Sequence, residues 1–253
     1  MFSPKSKLQV RGYEKLIAND TSYCVAYAPY SKLERSIIKL ENYLNNKSSK
    51  KKYPWLGSDI KIMAVRNYNE VDITLCIPQI AKYVKSLVEY KNNLVVIGNV
   101  IKKRLELSLP KHILNLSINT KDDFGKMNIY LTVSGASLSG DIGVVGRGNR
   151  TNGLITSNRP MSLEGTNGKN PRYYSGFVYA VASKKIANQL YKLTGKPNIV
   201  EIVSQNGGLL KKPWRIRIIS SAEKRKILKV VDKNLNNIEN FTMEFVNGKS
   251  KNY

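Results

Sequence analysis

"SYCVAYAPYSKLERSIIKLENYL", residues 22–44, passes from strand to helix within a few turns of chain. Its first part, SYCVAYAP, is rich in β-branched and aromatic residues, which favour a pleated, half-buried surface. Ser31 and Glu34 then stand in the S-x-x-E spacing of a capping box. The serine hydroxyl can accept from the amide three residues on, and the glutamate can reach back to the cap amide. Leu33, Ile37, Leu40 and Leu44 follow at helical spacing, so the helix has one apolar face. A strand feeding a capped amphipathic helix calls for helices laid on a sheet.

The same alternation continues outward. DIKIMAVRNYNEVDITLCIP (59–78) predicts two strands joined by a hairpin turn over RNYNE. The period of IPQIAKYVKSLVEYKNNLVVIGNVIKKRLEL (77–107) predicts one long helix. KHILNLSINT (111–120) and MNIYLTVSG (127–135) predict strands. FVYAVASKKIANQLYKL (177–193), with apolar residues at 178, 181, 186 and 190, predicts a helix. NIVEIVSQ (198–205) and WRIRIIS (214–220) predict strands. SSAEKRKILKVVDKNL (220–235) predicts a helix opened by a second capping box, Ser220 with Glu223. The fold class is α+β, with helices packed on mainly antiparallel sheets.

Composition narrows the function. Hydrophobic residues make up 42% of 253, enough for a real core in one or two domains. No apolar run approaches the roughly 18 residues of a membrane span, and MFSPKSKLQVRGYEK (1–15) has no apolar block to act as a secretory signal. These features point to the cytoplasm. Cys24 and Cys76 each sit in a strand-like run, as expected of buried, reduced thiols. With one histidine, His112, read as structural on a strand, they are too few for a structural zinc site, and no metal is expected.

Charge is the outlying feature. Lys plus Arg is 42 and Asp plus Glu is 18, a balance of +24. Uncompensated cations repel one another unless something anionic neutralises them, and nucleic acid is the commonest such partner. The cations are clustered along a folded body. Candidate RNA-binding residues are Lys50, Lys51, Lys52, Lys102, Lys103, Arg104, Lys211, Lys212, Arg215, Arg217, Lys224, Arg225, Lys226 and Lys229. In the strand over 214–220, alternation sends Trp214, Ile216 and Ile218 to one face and Arg215 and Arg217 to the other. Trp214, Trp55 and Tyr53 could stack on bases but read better as packing residues.

GDIGVVGRGNR (140–150) packs four glycines and two arginines around Asp141. It lacks the order of a P-loop and the acidic partner of a dinucleotide fingerprint. Alone, it is a loop whose amides and arginines could hold phosphate.

Three blocks, ANDTSYCVAYAPYSKLER (18–35), GDIGVVGRGNRTNGLITSNRPMSLEG (140–165) and GKNP (168–171), resemble the archaeal type of S-adenosylmethionine synthetase (methionine adenosyltransferase) in order and spacing. The resemblance implies α/β repeat units around a pseudo-threefold axis and a dimer with active sites between subunits. It implies attack of methionine sulfur on the ribose C5′ of ATP, assisted by magnesium and potassium. Asp20 resembles the family's aspartate near methionine and adenosine, and Asp141 the one heading the glycine-rich loop. Arg147, Arg150 and Lys169 resemble its phosphate-facing basic residues.

The pattern also departs from the family. Archaeal members begin upstream of ANDTS with a GHPDS-type motif, whereas Met1 here stands 17 residues before Ala18 and no His-Pro-Asp occurs. Ile142 and Val144 replace an acidic and a small polar residue of the loop. The implied organisation is a segment 1–34 pairing with a C-terminal unit, a first α/β unit over 35–137, a remnant of the central unit over 138–174, and the C-terminal unit over 175–253. The expectation is a truncated, degenerate, non-catalytic member in which Asp20, Asp141, Arg147, Arg150 and Lys169 are a vestigial phosphate site. It would need no cofactor and would bind structured RNA, ribosomal RNA and its neighbouring proteins first, as a possible homodimer or dimer with a full-length synthetase. The alternative is a subunit of a split methionine adenosyltransferase, using ATP, magnesium and potassium.

Overall fold

The computed structural model describes residues 16–136, 153–156, 158–162, 164–166 and 169–247. The chain forms two units, one of Met1–Pro29 with Gly143–Tyr253, the other of Tyr30–Ile142.

In the first unit, strands β1 (Tyr23–Ala28), β7 (Asn198–Val203) and β8 (Arg215–Ile219) form an antiparallel sheet in the order β1-β7-β8. Tyr23 faces Val203 and Ala28 faces Asn198, so SYCVAYAP supplies the sheet's edge strand. Helix α4 (Ser175–Thr194) lies across β1 and β7. It buries Phe177, Val178, Val181, Ile186 and Leu190 against Cys24, Val200 and Ile202. It stops at Gly195, whose φ of 66° is the left-handed cap conformation that glycine adopts without strain. Helices α5 (Lys224–Asn236) and α6 (Glu239–Val246) close the core with Val231, Leu235 and Phe241.

In the second unit, α1 (Lys32–Asn45), α2 (Lys47–Lys52) and α3 (Leu87–Ser108) accompany a sheet of β2 (Lys61–Asn67), β3 (Glu70–Cys76) and β5 (Ile113–Ile118). β2 and β3 pair antiparallel; β3 and β5 pair parallel, joined through α3. Val71, Ile73 and Leu75 alternate into a core shared with Leu40, Leu44, Ile97, Ile101 and Leu105. The Ser31–Glu34 capping box is formed in both directions, as its spacing predicts. β4 (Gln79–Ile80) and β6 (Leu131–Thr132) add a short parallel pair. Gly57 and Gly135 cross backbone to backbone here, and Gly135 O accepts from the amides of Ser58 and Asp59.

Several expectations are corrected. The long helix over 77–107 begins at Leu87, because Pro78 cannot donate to a helix ladder and Ser86 caps the new start by accepting from Glu89 N. Gln79–Ile80 is strand, and Ala81–Tyr83 is a single 3₁₀ turn. The strand over 127–135 shrinks to Leu131–Thr132. The second capping box is not made: Glu223 is the N-cap but makes no side-chain cap bond, and Ser220 Oγ instead accepts from Ala222 N. His112 stands in the turn before β5, not on a strand, and its buried Nδ1 has no hydrogen-bond partner among the described residues. The parallel pairings β3–β5 and β4–β6 are exceptions in the antiparallel scheme. Helices α2 and α6 are additions that the apolar period does not announce. In α2 every residue is serine or lysine, and Asn46 holds its start by accepting from Ser49 N.

Candidate functional site

The polar centre of the first unit is built where three chain ends meet: the turn before β1, the start of α4 and the end of β7. Ser22, Ser175 and Ser204 are all buried, and a buried hydroxyl is costly unless paired. Ser175 Oγ and Ser204 Oγ both donate to the carbonyl of Asp20, at 3.1 and 2.8 Å. Ser22 Oγ lies 2.9 Å from Ser175 Oγ, and Ser22 N donates to Ser204 Oγ at 2.8 Å. Asn19 Oδ1 accepts from Ser175 N at 3.2 Å, at the start of α4. Both lone pairs of the Asp20 carbonyl are thus filled, and its backbone is fixed. The carboxylate itself stays at the surface, where Oδ1 accepts from Thr21 N at 2.8 Å.

Next to it, Glu164 accepts from Tyr23 N at 3.1 Å and from the Tyr174 hydroxyl at 2.9 Å. Burial, the hydrogen bond to Glu164 and the charges of Glu164 and Asp20 all push the Tyr174 phenol upward, so it stays a neutral donor. Lys169 Nζ lies 5.1 Å from the Tyr174 ring centroid. Lys169 thus lies against the Tyr174 ring, and the Asp20 charge acts on the Tyr174 phenol. Gly176 makes room for this: a Cβ there would stand 2.7 Å from Glu164 Oε2 and from the Tyr174 ring. The Arg159 guanidinium lies 4.7 Å from the Tyr27 ring centroid. Of the five residues expected at a phosphate site, Asp20 and Lys169 lie among the described residues, Lys169 against the Tyr174 ring and Asp20 as a charge acting on the Tyr174 phenol. Asp141, Arg147 and Arg150 lie outside the described residues, as do Ile142 and Val144. Glu164, Tyr174 and the three serines were missed. Glu164 lies inside the block over 140–165, but serine and tyrosine carry no spacing signature.

Among the cations expected at an RNA surface, several are engaged within the protein. Lys50 Nζ turns inward to the carbonyls of Leu56 and Gly57, at 3.3 and 2.5 Å, and burial lowers its pKa to about 8. The Arg104 guanidinium carbon lies 3.2 Å from the Tyr43 ring centroid. Lys211 pairs with Glu239 at 2.8 Å, Arg217 with Glu201 at 3.0 Å and Lys226 with Glu223 at 3.3 Å. Lys51, Lys52, Lys102, Lys103, Lys212, Arg215, Lys224, Arg225 and Lys229 are exposed and pair with no acid among the described residues. Tyr53 and Trp55 are core residues, but Trp214 is 50% exposed with Arg215 against its ring, so it does not pack as expected.

The model of the S-adenosylmethionine synthetase (AdoMet synthetase) family matches residues 7–249. The chain belongs to this family. It is 39% identical to the S-adenosylmethionine synthase of Methanocaldococcus jannaschii over 204 residues, covering 80% of this chain and 50% of that protein. It is 39% identical to that of Thermoplasma acidophilum over 256 residues, covering 96% and 64%. The chain thus spans between half and about two thirds of these synthetases. A solved structure of an unusual S-adenosylmethionine synthetase from Campylobacter jejuni matches with a TM-score of 0.57 at 13% identity, covering 87% of this chain and 60% of that one. That likeness shows the fold: synthetase-type mixed α/β.

Proposed function

We infer that this synthetase-family chain works as part of a methionine adenosyltransferase, joining ATP and methionine into S-adenosylmethionine, with residues beyond those described here completing the site. The observation that carries this reading is the outward carboxylate of Asp20 on an immobilised backbone, with Lys169 against the ring of Tyr174, whose phenol feels the Asp20 charge. The reaction creates a sulfonium and releases triphosphate. A fixed carboxylate suits the substrate's ammonium or the developing sulfonium, and an ammonium suits the phosphate chain; both act by position and charge. The neutral Tyr174 keeps Glu164 engaged, so Asp20 is the carboxylate left for ligand.

Among the described residues, no three side chains of His, Cys, Asp or Glu converge to hold a metal ion, and both oxygens of Glu164 are already engaged. These residues do not fit the family's magnesium by themselves, and no step here passes through it.

The test is S-adenosylmethionine formation by the native complex purified through a tag on this chain. Turnover is expected, with a loss of at least tenfold in Lys169→Met and in Asp20→Asn. A native complex with zero turnover, or one indifferent to both variants, overturns the reading.

The charge of +24 favours a second reading, a non-catalytic protein on structured RNA such as ribosomal RNA. It stands on charge alone, whereas the synthetase reading has the family behind it. Co-sedimentation with ribosomal particles at low salt and release at high salt is its expected result; a chain that never sediments with them overturns it.

A further inference from the structure

Helix α5 carries its charge against its own stability. Its first turn holds Lys224, Arg225 and Lys226, where the helix dipole favours anions; the N-cap, Glu223, makes no side-chain cap bond and pairs with Lys226 alone among the described residues. Arg225, Lys229 and Lys233 follow at four-residue spacing, so they form one stripe with about 6 Å between neighbours, a spacing at which like charges repel. All three are exposed, and none pairs with an acid among the described residues. Such an arrangement is tolerable when a polyanion supplies the missing charge.

The stripe borders an open groove of about 620 Å³ between α4 and α5. Lys192 stands on the α4 wall and Lys233 on the α5 wall, with the amides of Asn188, Gln189, Asn234 and Asn236 between them. Among the described residues no carboxylate and no apolar side chain lines it, and its third lysine, Lys185, is already paired with Glu244. The Gln189 and Asn234 amides bond to each other in both directions, at 3.4 and 3.1 Å, and fix the floor. Asn188 and Asn236 remain exposed. A side-chain amide both donates and accepts, as does a ribose 2′-hydroxyl. A lipid surface fits poorly, because α5 turns Val230, Val231 and Leu235 inward and exposes Leu228 alone among its apolar residues.

We propose that the α4–α5 groove is a docking surface for duplex RNA. Phosphates lie on Arg225, Lys229, Lys233 and, across the groove, Lys192; 2′-hydroxyls meet Asn188 and Asn236. The surface is separate from Asp20 and Lys169 and does not depend on the synthetase reading.

The test uses the full chain and a labelled RNA duplex, with a DNA duplex of the same sequence beside it, read by fluorescence anisotropy across a salt series. RNA should bind several-fold more tightly than DNA. Arg225→Gln/Lys229→Gln/Lys233→Gln should flatten the slope of log affinity against log salt by about 0.9 for each phosphate that is no longer neutralised. Asn188→Ala/Asn236→Ala should keep the slope and bring RNA affinity down to that of DNA. Lys85→Gln/Lys111→Gln, exposed in the second unit, is the control and should change neither by more than the general reduction in charge. Circular dichroism confirms that the variants stay folded. Equal binding of both duplexes, an unchanged slope in the triple variant, no binding at low salt, or tighter capture by anionic vesicles would each overturn the proposal.

Discussion

Asp20 in the first unit and Asp122 in the second both sit among buried hydroxyls, yet they are held in opposite senses. At Asp122 both carboxylate oxygens are consumed: Oδ2 accepts from the Tyr90 hydroxyl at 2.6 Å and Oδ1 from Tyr130 N at 3.1 Å. Asn119 adds its amide to the same Tyr90 hydroxyl and ties it to the Ile77 carbonyl. At Asp20 the protein grips the backbone carbonyl and leaves the carboxylate to solvent. A carboxylate spent on its own fold is a structural part; one presented on a fixed backbone is available to a ligand. Composition cannot separate the two, since both are aspartates beside hydroxyl side chains.

The largest expected effect falls in the second unit. Gly57→Ala puts a Cβ 2.6 Å from Gly135 O and 2.7 Å from Gly135 Cα. Backbone cannot yield as a side-chain tip can, so the destabilisation should be about 3 kcal/mol in urea unfolding. Tyr90→Phe removes the donor to Asp122 and the acceptor for Asn119, and should cost about 2 kcal/mol. If it costs nothing, the Asp122 network is not structural and the contrast collapses. Ser204→Ala removes one of the two bonds to the Asp20 carbonyl and should cost about 1 kcal/mol, with a larger drop in ligand affinity than in stability.

Lys50 sharpens the comparison by pH. Burial lowers its folded pKa from 10.5 to about 8, so between those values the unfolded chain holds a proton that the folded chain has released. Stability should therefore rise as pH climbs from about 8 towards 10.5. The rise should be missing in Lys50→Met, as followed by thermal melts across that range; the same rise in both proteins would place Lys50 in water.

The fold was legible where apolar spacing and capping residues agree. The strand at 23–28 and the helices at 32–45 and 175–194 follow from Ser31, Glu34 and the period of buried residues. It was less legible where one residue overrides a period: Pro78 and Ser86 delay α3, and the polar α2 is held by its Asn46 cap and by the inward hydrogen bonds of Lys50. At the site, Asp20 and Lys169 are readable by resemblance. Glu164, Tyr174 and the serine trio are not, because their meaning lies in hydrogen bonds between residues up to 184 apart that no local pattern encodes. Net charge likewise gave the sign of the surface but not which lysines turn inward.

The most direct measurement compares the two aspartates in one experiment: melting temperature with and without S-adenosylmethionine for the wild type, Asp20→Asn and Asp122→Asn. Asp20→Asn should melt with the wild type yet show no ligand-induced rise, while Asp122→Asn should melt several degrees lower. An Asp20→Asn protein that is destabilised like Asp122→Asn and still responds to ligand as the wild type does would contradict the division between a presented and a structural carboxylate.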